Sequence, residues 1–332
     1  MASRVALIGL GMAVTPHAKS LLDLKAEVAY AYSPSAERRK SFSAKFPFPQ
    51  CERLETILED RSVNAVAVLT PPNTHLEIVE RCAAAGKHVL LEKPLEISTA
   101  RAERMVAACK NVTLGVVLQN RHKPATQRLV QLLAAGELGR LVAASAYVEL
   151  WRPQSYYDQP GRGTKARDGG GVLLTQGIHT LDVLLALAGE PLEVKSFVTT
   201  TPVHRMETED LVCAAVRWKN GGKNGAIGVV YATTSQYPGT PERIEIVAER
   251  GTATLAGTLA EVRWHDGRSE RAGEEGTAGG AGADPMAFPH DYHRAVWSDF
   301  LDAIERKRAP LVSGTEALRV HRFIDRILQS GG

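Results

Sequence analysis

The first 120 residues carry five short apolar runs, at 5–10, 28–32, 63–69, 88–92 and 112–118. Each is nearly continuous in Val, Ala, Leu and Ile rather than alternating with polar residues. A strand that is apolar on both sides must be covered on both faces, which calls for helices above and below a parallel sheet. Helices are expected between the runs at 16–24, 36–45 and 101–108. A further helix should follow Asn73, with Asn73 as its cap and Thr74 and Glu77 at capping-box spacing.

The pattern changes after Gln119-Asn120. A helix at 124–135 ends at Gly136, and the following strand, 141–151, alternates apolar and polar residues. Alternation means that one sheet face lies open or is covered by a partner. Beyond Gly169-Gly170-Gly171 a helix is expected at 172–187, then four or five antiparallel strands, clearest at 211–218, 226–234 and 243–247. Asn220-Gly221-Gly222 and Asp266-Gly267 supply turns. Residues 268–288, rich in Gly, Ala and Glu, read as a loop, and two helices finish the chain, one near 290–307 and one capped by Ser313 with Glu316.

At 332 residues the chain suits two domains. Residues 1–121 form the α/β doubly wound part. Residues 122–332 form an α+β domain with a large, mostly antiparallel open sheet. A net charge of +3 without a long basic run argues against nucleic acid as a partner, and no apolar stretch reaches bilayer-spanning length. The N-terminal apolar run is short and broken by glycines, so a first strand explains it better than a signal peptide. Cys51, Cys82, Cys109 and Cys213 show no CxxC spacing and read as reduced thiols of a cytoplasmic protein.

The first strand ends in Gly9-Leu10-Gly11, followed by Met12 and Ala13, with Val14 where a G-x-G-x-x-G turn has its third glycine. The first glycine permits a tight turn and the second admits a pyrophosphate close to the backbone. The motif alone would equally suit a structural glycine turn; the strand before it, the helix after it and two further strand-end motifs favour a Rossmann-type dinucleotide turn with one departure. At the end of the second strand, where an acidic residue would grip a ribose hydroxyl, stand Tyr32-Ser33-Pro34, then Arg38, Arg39 and Lys40. Ser33 and Arg38 suit the 2′-phosphate of NADP, with NAD as the alternative. A solvated basic helix face is the other reading of these charges.

Lys93 ends the fourth main run, between Glu92 and Pro94. Open parallel sheets bind ligands beyond the carboxyl ends of their strands, so a lysine there is placed for chemistry rather than packing. Pro94 removes a donor and stiffens the backbone, and a cis Lys93-Pro94 bond is expected. Thr175, His179 and Asp182 fall at i, i+4 and i+7, so a regular helix would present them on one stripe opposite Leu174, Leu181, Leu184 and Leu185. Asp182 is expected to be structural.

Taken together, Gly9-Leu10-Gly11, Thr70-Pro71-Pro72-Asn73-Thr74-His75, Glu92-Lys93-Pro94, Gln119-Asn120-Arg121, Gly169-Gly170-Gly171, Gly177-Ile178-His179 and the ending from Asp299-Phe300 to Pro310 resemble the glucose–fructose oxidoreductase / inositol dehydrogenase family over nearly the whole chain. The resemblance implies nicotinamide-dependent oxidation or reduction of sugars and related polyols. It implies Lys93 and His179 as the catalytic pair, and a cofactor lined by residues 70–75, including Thr70, Pro71, Pro72, Asn73 and His75, with Glu92, Pro94 and Gln119. It also implies an open sheet that often serves oligomerisation, as a homodimer or homotetramer. Many members place an aspartate four residues before the histidine; here Thr175, followed by Gln176, occupies that place.

The chemistry expected is hydride transfer between a carbinol carbon and a nicotinamide, with His179 taking the hydroxyl proton and Lys93 stabilising the alkoxide, or the two in exchanged roles. Arg152, Tyr156, Tyr157, Arg162 and Lys165 form a segment suited to a sugar, a sugar acid or the cofactor, or else an arm against a neighbouring subunit. Arg121, Gln176 and His293 join the substrate candidates. No sequence spacing of His, Asp and Glu suggests a metal. A non-catalytic dinucleotide-binding regulator of the same fold is the competing function, and the Lys93–His179 pair favours the enzyme.

Overall fold

The computed structural model describes residues 3–274 and 289–331. In chain order it contains β1 (Arg4–Ile8), α1 (Val14–Asp23), β2 (Glu27–Tyr32), α2 (Ala36–Ser43), β3 (Gln50–Cys51), α3 (Leu54–Glu59), β4 (Ala65–Val68), α4 (His75–Ala84), β5 (His88–Glu92), α5 (Thr99–Ala108) and β6 (Leu114–Val117). There follow α6 (Pro124–Ala134), β7 (Leu141–Glu149), α7 (Gln154–Tyr157), α8 (Ile178–Ala188) and β8 (Pro191–Thr199). The strands β9 (Leu211–Trp218), β10 (Ala226–Thr233), β11 (Arg243–Ala248), β12 (Gly251–Ala256), β13 (Leu259–Trp264) and β14 (Ser269–Gly273) precede α9 (Asp291–Arg306) and α10 (Gly314–Ser330). Among the described residues no helix is long and apolar enough to cross a membrane.

The chain divides into two compact units, Met1–Gln119 with Phe288–Leu318, and Asn120–Ala287 with Arg319–Gly332. The change at 119/120 lies close to the boundary expected at 121, but the chain then returns, and α9 belongs to the first unit. Its apolar face explains the return: Val296, Trp297 and Phe300 are buried in the core of that unit with Leu7, Val14, Leu21 and Leu90.

The first unit is built on a parallel six-stranded sheet in the order β3-β2-β1-β4-β5-β6. Strands β1, β4 and β6 are almost wholly buried, as their continuous apolar runs require. The short β3 and the helix α3 were not anticipated. Nor does Asn73 cap α4. Residues 72–74 form a 3₁₀ turn, the Thr74 hydroxyl bonds to Thr70 Oγ1 and to the Pro71 carbonyl, and Glu77 pairs with Arg101. The orphan amide of Leu76 goes instead to the buried Glu96 carboxylate, 3.3 Å away. A distant acid has replaced the local cap.

The second unit carries an eight-stranded sheet in the order β14-β13-β12-β11-β7-β10-β9-β8, antiparallel except for β10 beside β7. Residues 268–288 were expected to be loop, but β14 occupies Ser269–Gly273, paired with β13 across the Asp266-Gly267 turn; residues 275–288 lie outside the described set. Ser269–Gly273 has no apolar pattern of its own, so the hairpin and the Arg128–Glu270 ion pair recruit it. One sheet face is covered, with Val212, Ala214 and Val216 buried; the other exposes Phe197, Ile227 and Val229. Cysteines 51, 82 and 109 are buried free thiols, and Cys213 is free and exposed.

Candidate active site

At the end of β1, Gly9 sits at φ +103° and its amide donates to the Tyr32 carbonyl at 2.9 Å. A Cβ there would lie 2.9 Å from the Leu69 carbonyl group, so both conformation and space demand glycine. Around Gly11 a Cβ would meet nothing within 4 Å. That open approach at the start of α1 is what a pyrophosphate needs. Val14, in the place of the third glycine, begins α1 and is buried. Met12 is exposed at 65% beside the turn.

At the end of β2, Ser33 is buried, and its hydroxyl accepts the Ser35 amide at 3.3 Å. Ser35 caps α2 through the Arg38 amide. The basic run divides in two. Arg39 turns inward to the Ser33 carbonyl at 2.8 Å and to Glu52 at 2.8 Å, while Arg38 stays exposed. Arg39 is therefore neither solvated nor presented to a phosphate: its guanidinium braces the turn after β2.

The ends of β4 and β5 are joined through His75. Its Nε2 lies 2.8 Å from the Thr70 carbonyl and its Nδ1 lies 3.0 Å from that of Pro94. Burial pushes the imidazole below its ordinary pKa, against the carbonyl hydrogen bonds and Glu96. The Lys93-Pro94 bond is cis, as expected. Before it, Glu92 Oε2 accepts the Lys93 amide at 3.0 Å, and Glu92 Oε1 lies 2.9 Å from His17 Nε2. Burial, the largest single influence, would raise the Glu92 carboxyl, but the His17 hydrogen bond together with the charge interactions of His17, His293 and Lys93 outweighs it and holds the group below the usual range. His293, expected to meet substrate, is instead 3% exposed inside the first unit, 4.0 Å from Glu92. Desolvation drives its pKa down to about 3, so it stays neutral.

His17, Glu92 and His293 present ligand atoms within 4.8 Å of one another, a grouping no sequence spacing disclosed. The arrangement fits a hydrogen-bonded chain better than a metal site. Trp297 Nε1 lies 3.0 Å from His17 Nδ1, and an indole N–H only donates. Nδ1 therefore accepts, and Nε2 carries a proton toward Glu92 rather than a lone pair for a metal.

In the second unit, the helix expected from 172 opens as a π-helical turn over Leu173–Gly177 before α8. The wide turn breaks the 3.6-residue register, so Thr175, His179 and Asp182 do not form the regular stripe. The Thr175 hydroxyl folds back to the Gly171 carbonyl at 2.6 Å. Leu174, Leu181, Leu184 and Leu185 are buried as expected, and His179 is half-buried. Asp182, expected to be structural, pairs with Arg121 at 3.1 Å, and both side chains are buried. Arg121 is thus held within the unit rather than freely presented to substrate.

Other substrate candidates do gather. The Tyr156 hydroxyl accepts from Arg162 Nη1 at 2.7 Å and from Gln176 Nε2 at 3.5 Å, and the guanidinium carbons of Arg162 and Arg152 lie 4.5 and 5.7 Å from its ring centroid. Glu209 is a residue the sequence reading missed. Buried, it accepts the Gly171 amide at 2.9 Å and the Leu173 amide at 3.3 Å, anchoring the helix start ahead of His179. Its pKa is raised, burial outweighing those amide bonds.

Comparison with known proteins agrees with these features. Residues 3–121 match the model described as an oxidoreductase family with an NAD-binding Rossmann fold, and residues 126–254 match the GFO/IDH/MocA C-terminal domain. Myo-inositol 2-dehydrogenase of Thermotoga maritima is 28% identical over 256 residues, covering 75% of this chain and 73% of the relative. 1,5-Anhydro-D-fructose reductase of Ensifer adhaerens is 31% identical over 199 residues, covering 59% of each. The WlbA dehydrogenase of Bordetella pertussis, solved with NADH and UDP-GlcNAcA, superposes at a TM-score of 0.83 with 26% identity, covering 100% of this chain and 97% of that one. With both family domains matched in order, the chain belongs to the GFO/IDH/MocA family of NAD-binding oxidoreductases.

Proposed function

We propose that the protein moves a hydride between a carbinol or ketone carbon of a sugar, sugar acid, inositol or nucleotide sugar and a nicotinamide dinucleotide, NADP in preference to NAD. The observation that carries this reading is the sharing of one sheet edge: Gly9 ends β1 and Lys93 follows β5, both at the carboxyl side of the same parallel sheet. The dinucleotide, when bound, supplies the hydride acceptor or donor. Gly9 and Gly11 would hold its pyrophosphate, with Met12, Ala13, Thr70–His75, Glu92, Pro94, Gln119 and Arg162 as further contacts. Ser33 and the exposed Arg38, with no carboxylate at the end of β2, support a 2′-phosphate.

Lys93 and His179 carry the proton chemistry in this reading. The imidazole accepts the hydroxyl proton and the ammonium stabilises the developing alkoxide, or the two exchange roles. Arg152, Tyr156, Thr175 and Gln176 recognise the substrate. The relatives named as inositol and anhydrofructose enzymes, and the WlbA dehydrogenase with its bound nucleotide sugar, support the substrate class. The free thiols suit a reducing cytoplasm. The exposed apolar sheet face suits a second copy of the chain.

The test is turnover against free sugars, uronates, inositols and nucleotide sugars, with NAD and NADP run in parallel. Lys93→Met should abolish turnover while cofactor binding survives. Near-normal turnover in that variant would remove Lys93 from the mechanism. Firm cofactor binding without turnover on any substrate would favour a regulator.

A further inference from the structure

Three side chains from distant parts of the first unit converge behind Lys93. Trp297 on α9 and His17 on α1 are 280 residues apart, yet their nitrogens are 3.0 Å apart and both side chains are buried. His17 then meets Glu92 at 2.9 Å, and Glu92 takes the Lys93 amide at 3.0 Å. The donor logic runs one way. The indole can only give its proton, so the neutral imidazole must carry its own on Nε2, aimed at Glu92 Oε1. Glu92 is then held from both sides, by His17 on one oxygen and by a main-chain amide on the other. Pro94 offers no N–H, and its carbonyl is taken by His75. The Lys93 amide is therefore the last main-chain donor before the proline.

We propose that Trp297 and His17 are positioning residues for the lysine. The indole selects the His17 tautomer, that tautomer orients Glu92, and Glu92 holds the main chain from which Lys93 projects. The inference rests on the reading of Lys93 as a proton-transfer group. Without the indole N–H, His17 can carry its proton on Nδ1 instead. An Nε2 lone pair would then face the Glu92 oxygen, and the carboxylate would move away, taking with it the hold on Lys93. Small displacements of a reacting group cost turnover more than they cost ground-state binding.

Trp297→Phe keeps an aromatic ring and deletes the donor. His17→Leu deletes the relay, and His17→Gln restores a donor toward Glu92. In full-length protein labelled with ¹⁵N-histidine, the ring nitrogens of His17, assigned with the His17→Gln variant, should report the Nε2–H tautomer, and Trp297→Phe should weaken that bias. On a substrate found by the screen, kcat should fall about 10-fold in Trp297→Phe and about 100-fold in His17→Leu. The KM for the dinucleotide should rise by less than kcat falls, and His17→Gln should recover most of the rate. An Nδ1–H tautomer in the native protein overturns the relay. So do native rates in Trp297→Phe and His17→Leu when Lys93→Met is inactive, a result that leaves the lysine assignment standing. Turnover by Lys93→Met instead removes the lysine assignment and the relay's purpose, whatever the tautomer.

Discussion

Arg121 and Asp182 form a buried ion pair, Nη1 to Oδ1 at 3.1 Å, that ties the segment after β6 to the middle of α8. Both belong to the second unit, and both are under a tenth exposed. The pair fixes the helix that carries His179.

Asp182→Ala should therefore act on stability before it acts on chemistry. Removing one partner leaves a guanidinium in a desolvated place, at a cost on the order of 3 kcal/mol. Urea unfolding followed by circular dichroism measures it. A loss below about 1 kcal/mol would show that Arg121 is satisfied without Asp182.

The two glycines of the cofactor turn should fail in different ways. Gly9→Ala places a methyl 2.9 Å from the Leu69 carbonyl at φ +103°, so a loss of about 1–3 kcal/mol and a lower Tm are expected. Gly11→Ala meets no protein atom within 4 Å, so its Tm should match the native protein while dinucleotide affinity drops at least about 10-fold. Calorimetry with NADP and NAD, beside thermal melts, separates these outcomes.

His293 should make the first unit acid-sensitive. Its pKa is lowered from 6.5 to about 3 in the folded state, chiefly by burial. Between those values the unfolded chain binds the extra proton, so stability is full above pH 6.5 and is lost as pH falls toward 3. From pH 6.5 to 5 the loss through this group is about 2 kcal/mol. His293→Phe should flatten that part of the stability profile. An unchanged slope would show that other groups set the acid limit.

The open face of the large sheet should control assembly. Phe197 stands beside Cys213, which stands beside Tyr231; the next row of that face holds Lys195, Ala215 and Val229, and the one beyond it holds Val247, Ala143 and Ile227 across β11, β7 and β10. Phe197 is 84% and Ile227 59% exposed. The double variant Phe197→Glu, Ile227→Lys should shift light-scattering mass from oligomer to monomer and leave the Tm of the monomer little changed. A native protein that is already monomeric would remove the partner reading.

Much of the first unit was legible because its signals are local. Continuous apolar runs mark strands buried on both faces, a glycine turn follows the first of them, and Glu92-Lys93-Pro94 announces a strand end with a cis proline. In the second unit alternation disclosed the open sheet, and the triglycine before α8 has its reason in the fold: a Cβ on Gly171 would lie 1.7 Å from the Glu209 carbonyl oxygen. The rest depended on which distant group reaches a polar atom first. Glu96 displaced the local cap of α4, Glu209 anchored the helix start, and a π-helical turn undid a stripe that ideal periodicity would have drawn. The return of α9 to the first unit brought Trp297 to His17, a contact that neither segment advertises. Backbone preference is written within a few residues, whereas the partner of a buried donor is set by the packing of whole elements. For that reason the residues themselves pointed to a dinucleotide-binding oxidoreductase, and only the folded chain decided which groups hold the backbone at Lys93.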